Sequence, residues 1–231
     1  MPNKLKKGSS GAEGRISDPL LTALTIMLSI LLFVIGPMQA AGVVTGFHFG
    51  AFFGLVLIPA AFLVSTSRLA VGSILVAIML IVAAGVLELS QSSTIDLYLD
   101  SAAWLIGGLT LSIVVARAVF APGKITYHRI VGAVFLYLNI GLIFVALFGF
   151  EALLMPKAFT GLGSLQGTFA ITGDLIYFSF VTLTTTGYGD IVPIHPYARS
   201  LTNVEAIIGQ VYPATLLARL VTLQIADERS F

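Results

Sequence analysis

The chain contains no cysteine, so it can form no disulfide, hold no thiolate-bound metal and use no cysteine nucleophile. Charge is scarce as well. Of 231 residues only 10% are Asp, Glu, Lys or Arg, where a water-soluble domain carries roughly 25%. A surface that poor in charge cannot be wetted over most of its area, which excludes the ordinary soluble classes. His48, His128 and His195 stand far apart, with no i, i+4 ligand spacing, so a metal centre is not expected. Without clustered His, Cys or paired carboxylates, the sequence points away from an enzyme and implies no cofactor. The net charge of +1 gives no reason to expect a nucleic-acid partner. What fills the chain instead is apolar: 57% of the residues are hydrophobic, and the natural surroundings are membrane lipids.

A helix needs about 20 apolar residues to cross a ~30 Å hydrocarbon core. Six stretches offer that length, at about 19–36, 47–65, 69–88, 101–121, 129–153 and 198–224. A shorter one, about 173–185, is expected to enter and leave the membrane on one side. The basic residues before Leu20, with Met38-Gln39-Ala40 beyond it, also permit a signal-peptide reading. The length of the apolar run and the five further spans favour a retained span. With the N-terminus inside, Lys4, Lys6, Lys7, Arg15, Arg68, Arg117, Lys124, Arg129, Arg219 and Arg229 fall on the cytoplasmic side, and Lys157 and Arg199 outside. That bias is the one expected of a cell-membrane protein with both termini cytoplasmic. The chain accordingly divides into a disordered leader over 1–18, a four-helix transmembrane region over 19–121, a second membrane domain over 129–225, and a short cytoplasmic tail over 226–231.

One string carries chemistry: Tyr177-Phe-Ser-Phe-Val-Thr-Leu-Thr-Thr-Thr-Gly-Tyr-Gly-Asp190. Non-helical backbone at membrane depth is tolerated only when buried in protein or lining a water-filled path. Gly187 and Gly189 permit φ > 0, which allows successive carbonyls to face one axis. Such carbonyls, with one threonine hydroxyl, can replace the hydration shell of a cation. One chain supplies one wall, and closing the ring takes four copies.

This string resembles the selectivity filter of the tetrameric potassium-channel superfamily, with Thr186 where Val or Ile is commoner. Ile191-Val-Pro193, Arg199 and Gly209 lie at family-like distances beyond it, so the likeness covers about 129–224. It implies an all-α membrane protein of six transmembrane helices, with a re-entrant pore helix and filter between helices five and six, assembling as a four-fold homotetramer. It implies K+ as the permeant ligand at Thr185, Thr186, Gly187 and Tyr188, with Gly189 at the outer mouth. Tyr188 is expected to point off axis into an aromatic cuff with Tyr177 and Phe178, and Asp190 to hydrogen-bond behind the filter. The family often places a glutamate in the pore helix as partner to this aspartate; here Val181 stands there. Thr172 is expected to cap the pore helix, with Asp174 in its first turn.

The last span holds the candidates for cavity and gate. Gln210 lines the cavity by family-like offset, which sets Glu205 about 140° round the helix. Glu205 then acts either electrostatically on cations or as a carboxyl hydrogen-bonded behind the pore helix. Gly209 is a hinge or a packing glycine, and Pro213 a kink or a packing feature. The fourth span has Arg117 near its inner end and no Arg-x-x-Arg ladder. A voltage sensor needs several such charges, because each is worth about 2.3 kcal/mol per 100 mV. The expectation is a potassium-selective channel that is not voltage-gated in the familiar way. The alternatives are a weakly selective monovalent cation channel or a potassium-transporter subunit.

Overall fold

In the computed structural model, which describes residues 9–43, 49–64, 67–90, 94–120, 126–155, 157–163 and 168–228, the chain is almost wholly helical. Helix α1 (Ser9–Ile30) passes through one π turn (Leu31–Ile35) into α2 (Gly36–Ala40). In that turn the Gly36 N–H bonds the Leu31 carbonyl, five residues back. Pro37 comes directly after, and the widened turn accommodates a residue that lacks an N–H and crowds the preceding turn. Then come α3 (Phe49–Val64), α4 (Arg68–Ser90), α5 (Thr94–Val119), α6 (Tyr127–Leu154), strand β1 (Phe159–Thr160), α7 (Thr168–Leu183), strand β2 (Val192–Pro193) and α8 (Pro196–Glu228).

Among the described residues, four helical segments are long and apolar enough to cross a membrane: Pro19–Gln39, Arg68–Leu87, Ile95–Val119 and Tyr127–Leu154. The protein is therefore a membrane protein. Two of the six expected spans differ from these. At 16 residues, α3 reaches about 24 Å, short of a ~30 Å core. At 33 residues α8 is long enough, but Arg199, Asn203, Glu205, Gln210 and Arg219 dilute its apolar face. At the N-terminus, residues 9–18 of the expected leader are helical, and residues 1–8 lie outside the described part. Lys4, Lys6, Lys7, Lys124 and Arg229, used to orient the chain, also lie outside it.

Helix α6 is the central post. Its membrane-length segment is 61% buried, against 22% for that of α4. Helices α1, α5, α7 and α8 all pack against it. The α5–α6 seam is antiparallel and close: a Cβ on Gly108 would press on Ile143, and one on Gly132 would press on Val119. Asn139, fully buried there, donates to the Gly108 carbonyl at 2.8 Å and to Ser112 Oγ at 2.8 Å. Outward-facing Leu55, Leu69, Leu75, Met79 and Val82 are exposed, as a lipid-facing surface requires.

Candidate functional site

Helix α7 is held between α6 and α8, and its contacts fix the relative direction of all three. Along α6, Tyr137 meets Leu183, Gly141 meets Ser179 and Phe180, and Gly149 comes within reach of Leu175. The rising and falling numbers make α6 and α7 antiparallel. Along α8, Glu205 meets Ser179 and Gly209 meets Leu183, one helical turn further on in both helices. So α7 and α8 run in the same direction, and the segment between them must double back.

The start of α7 differs from expectation. It begins at Thr168, so Thr172 is a buried residue inside the helix rather than its cap. Asp174 Oδ2 instead accepts the Gly163 N–H at 2.7 Å, tying the preceding loop to the helix.

The end of α7 sets the conformation of the loop beyond it. A helix leaves its last carbonyls without helical partners; here Phe180 closes the last ordinary i→i+4 bond, and the carbonyls of Val181, Thr182 and Leu183 beyond it all find other donors. Phe180 O accepts the Thr184 N–H at 3.0 Å, and Leu183 O accepts the Tyr137 hydroxyl at 3.2 Å. Thr182 O accepts Thr185 N–H at 2.9 Å, and Val181 O accepts Thr186 N–H at 2.9 Å. The last two bonds, spanning three and five residues, are a Schellman cap. Such a cap requires a left-handed residue at the first position past the helix, usually glycine. Thr185 occupies it, with φ 57°. For a β-branched residue this is a strained conformation, costing on the order of 1–3 kcal/mol. Gly187 (φ 59°) and Gly189 (φ 78°) continue the pattern, while Thr186 and Tyr188 keep negative φ. A strand of uniform φ sign alternates its carbonyls between two sides; alternating the sign brings them toward one. The positive φ of Thr185 was not legible in a sequence that reserves this conformation for glycine.

The backbone beyond is clamped from outside. Strands β1 and β2 pair antiparallel, Phe159 with Pro193 and Thr160 with Val192. The Ile194 N–H reaches the Ala158 carbonyl at 2.8 Å. Gly161, at φ 86°, passes so close to the Asp190 carbonyl that a Cβ would overlap it. Arg199 Nε donates to the Pro193 carbonyl at 3.1 Å.

Of the aromatic residues expected around Tyr188, the chain brings one. The Tyr177 and Tyr188 rings lie parallel, with centroids 6.3 Å apart. Phe178, one residue on and so about 100° round the helix, turns the other way. It is buried against Phe148 at 5.0 Å and Phe159 at 5.4 Å. Tyr177 also supplies the partner that Val181 cannot: its hydroxyl donates to Asp190 Oδ2 at 2.8 Å. That bond, with the Ile191 N–H behind it, holds the Asp190 carboxyl below the usual carboxylate range. The Val181 side chain lines a cavity of about 570 Å³ shared with Leu32, Phe33, Tyr137 and Phe180.

On α8, Glu205 is fully buried with its Oε1 2.5 Å from Ser179 Oγ, so it sits behind α7. Gly209 lies against the end of α7, where a Cβ would overlap the Leu183 carbonyl. Gln210, the next residue, is exposed on the other side. Helix α8 runs on through Pro213 to Glu228, so this proline does not end it. Near the far end, the Arg219 guanidinium donates to the Phe120 carbonyl at 3.1 Å and lies 4.5 Å over the Phe120 ring. Ser179, Tyr137, Gly141 and Gly161 are the positions that sequence reasoning missed. A signal existed only for Ser179, a polar residue inside an apolar run.

Residues 132–225 match the family model described as "Ion channel". No curated protein and no solved structure matches the chain. The matched segment runs from the first turns of α6 through the doubled-back loop and most of α8, and over that part of its length the chain is similar to ion channels of the pore-loop cation type.

Proposed function

We propose that the chain is one subunit of a homotetrameric potassium-selective channel, conducting K+ passively through a filter built by Thr185, Thr186, Gly187, Tyr188 and Gly189. The observation that carries this reading is the alternation of φ sign from Thr185 to Gly189, directly after a capped helix. Carbonyls turned to one side are what a desolvated cation needs. In this reading α7 is the pore helix and re-enters the membrane, consistent with its running in the same direction as α8. The chain then crosses six times, α3 and α8 included, with both termini cytoplasmic in the cell membrane. Residues 19–121 form the four-helix region, 129–225 the pore domain, and 1–18 and 226–231 the cytoplasmic ends.

Thr185 supplies hydroxyl and carbonyl at the innermost site, Thr186, Gly187 and Tyr188 supply carbonyls above it, and Gly189 forms the mouth. Tyr177 and Asp190 brace the filter from behind. Two features favour assembly. Filter residues 185–189 are all exposed in the single chain, and so are the apolar Val204 and Val211 of α8. Three further copies cover both. Asn203, Ile207 and Gln210 share a stripe at i, i+4, i+7 that faces the cavity in such a ring. With Arg117 the one arginine in the membrane part of α5, opening does not follow the familiar voltage mechanism. The test is planar-bilayer recording of the purified protein beside Gly187→Ala and Tyr188→Ala variants. Current carried by K+ is expected for the native chain and lost in both variants; current that survives either one removes these residues from the conduction path.

A further inference from the structure

Ser179 Oγ lies 2.9 Å from the Gly141 carbonyl of α6 and 2.5 Å from Glu205 Oε1 of α8. One hydroxyl carries one proton and cannot donate to both. If Glu205 were ionised, Ser179 would have to choose between them, and the carboxylate would hold its charge fully buried on a single hydrogen bond. Its other oxygen, Oε2, has no hydrogen-bond partner among the described residues. An isolated carboxylate in that position is far costlier than a neutral acid. Once Glu205 carries a proton the conflict disappears. Its O–H donates to Ser179 Oγ, and the Ser179 O–H donates to the Gly141 carbonyl.

We infer that Glu205 is a positioning residue of the pore, a neutral acid whose O–H, relayed through Ser179 to Gly141, ties α6, α7 and α8 together at one buried point. The placement gives the tie its purpose. One turn along α7 from Ser179 is Leu183, which Gly209 of α8 and the Tyr137 hydroxyl of α6 both touch. The same three helices therefore meet twice in succession, first through the Glu205 relay and then at the residue before Thr184. Thr185 begins its strained turn directly afterwards. A helix end that must hold a threonine in a left-handed conformation needs a fixed base. Gly141 is part of the design, because a Cβ there would push the Phe180 ring and with it α7 away. The role differs from attraction of ions: Glu205 is turned away from the exposed stripe that holds Gln210.

For its effect on conduction this inference rests on the pore reading, and the test has one arm that does not. Infrared spectra of purified native protein and of Glu205→Gln are subtracted at neutral pH. The native chain is expected to show the carbonyl stretch of a protonated carboxylic acid that the variant lacks. A carboxylate band in its place overturns the inference, whether or not the protein conducts.

The second arm compares thermal stability and K+ flux of Glu205→Gln, Glu205→Ala and Ser179→Ala. Glutamine keeps a donor toward Ser179 and is expected to match the native chain within about twofold in both readouts. Ser179→Ala leaves the buried Glu205 acid without its partner, and Glu205→Ala breaks the tie to α8 and leaves a cavity at a fully buried site; both are expected to lower the folded-to-unfolded ratio about tenfold or more. A glutamine variant as impaired as the alanine variants shows that charge is required and overturns the inference. So does a Glu205→Ala variant indistinguishable from native. Native protein that shows the acid band and carries no K+ counts against the pore reading alone.

Discussion

Gly209→Ala is the substitution for which two opposed effects can be weighed against each other. Inside a helix, glycine is worse than alanine by about 1 kcal/mol, so the change should stabilise wherever space is free. At Gly209 space is not free. The added Cβ would overlap the Leu183 carbonyl, and a backbone atom cannot rotate aside as a side chain can. Overpacking of this kind costs about 1–3 kcal/mol, and backbone overlap belongs at the upper end. The net expectation is destabilisation of up to about 2 kcal/mol. Gly72 in α4 is the control, because a Cβ there meets nothing within 4 Å. Gly72→Ala should raise the thermal midpoint of the detergent-solubilised protein, and Gly209→Ala should lower it. For a chain of this size each kcal/mol moves the midpoint about 2–4 °C. The Gly209 variant should also lose K+ flux, because Thr184 and Thr185 come immediately after the displaced Leu183 carbonyl. If both variants stabilise alike, α8 does not press on the end of α7, and the packing account is wrong. If Gly209→Ala leaves stability unchanged and alters only opening, the residue is a hinge.

Removing the Tyr177 hydroxyl tests the brace behind the filter. Asp190 is held below its ordinary range, so its contribution is present above the unfolded carboxylate pKa, about 3.9. That contribution is lost as pH falls through the lower folded value. Tyr177→Phe should therefore move the acid-induced loss of current to higher pH when the outer side is titrated; an unmoved profile would mean the bond does not support conduction. Thr185→Gly should separate strain from chemistry. It relieves a left-handed threonine, a gain on the order of 1 kcal/mol in thermal stability, yet removes the hydroxyl expected at the innermost ion site. Selectivity or conductance should fall while the midpoint holds or rises; a midpoint that drops steeply would show that the threonine is unstrained. Gly161→Ala meets both a positive φ of 86° and the Asp190 carbonyl, so it should destabilise the protein and disturb the filter's outer end. A neutral result in both assays would remove the β1–β2 clamp from the account.

How much of the fold and the site was legible in the sequence depended on whether a residue's constraint lay in its own type. Gly187 and Gly189 announce positive φ because glycine is the residue that adopts it freely, and both have it. Thr185 does not announce it: its conformation comes from closing α7 with a Schellman cap, a property of the helix end rather than of threonine. Glu205 was legible as an anomaly, an acid in an apolar helix. Its bond to Ser179 favours the hydrogen-bonded of the two roles open to it, but the relay onward to Gly141 depends on how α6 crosses α7, and no local pattern encodes that. Asp190 was expected to hydrogen-bond behind the filter, but with Val181 in the glutamate's place the sequence named no partner for it. The brace comes from Tyr177, a turn earlier on the same helix, which sequence reasoning had given to the cuff alone. Phe178 was misplaced for a simple reason: adjacent residues on a helix point about 100° apart, so Tyr177 and Phe178 cannot both face Tyr188 within one chain. Of the six expected spans, four meet both the length and the polarity that a membrane asks for, and the other two each meet one: α3 is apolar but short, and α8 is long but carries polar residues.

The most direct test of the central claim is the reversal potential of single-channel current across a planar bilayer, with K+ on one side and Na+ on the other. A carbonyl-lined filter built by residues 185–189 predicts reversal far from zero, toward the potassium equilibrium potential. Reversal near zero would contradict potassium selectivity and leave a weakly selective cation pore.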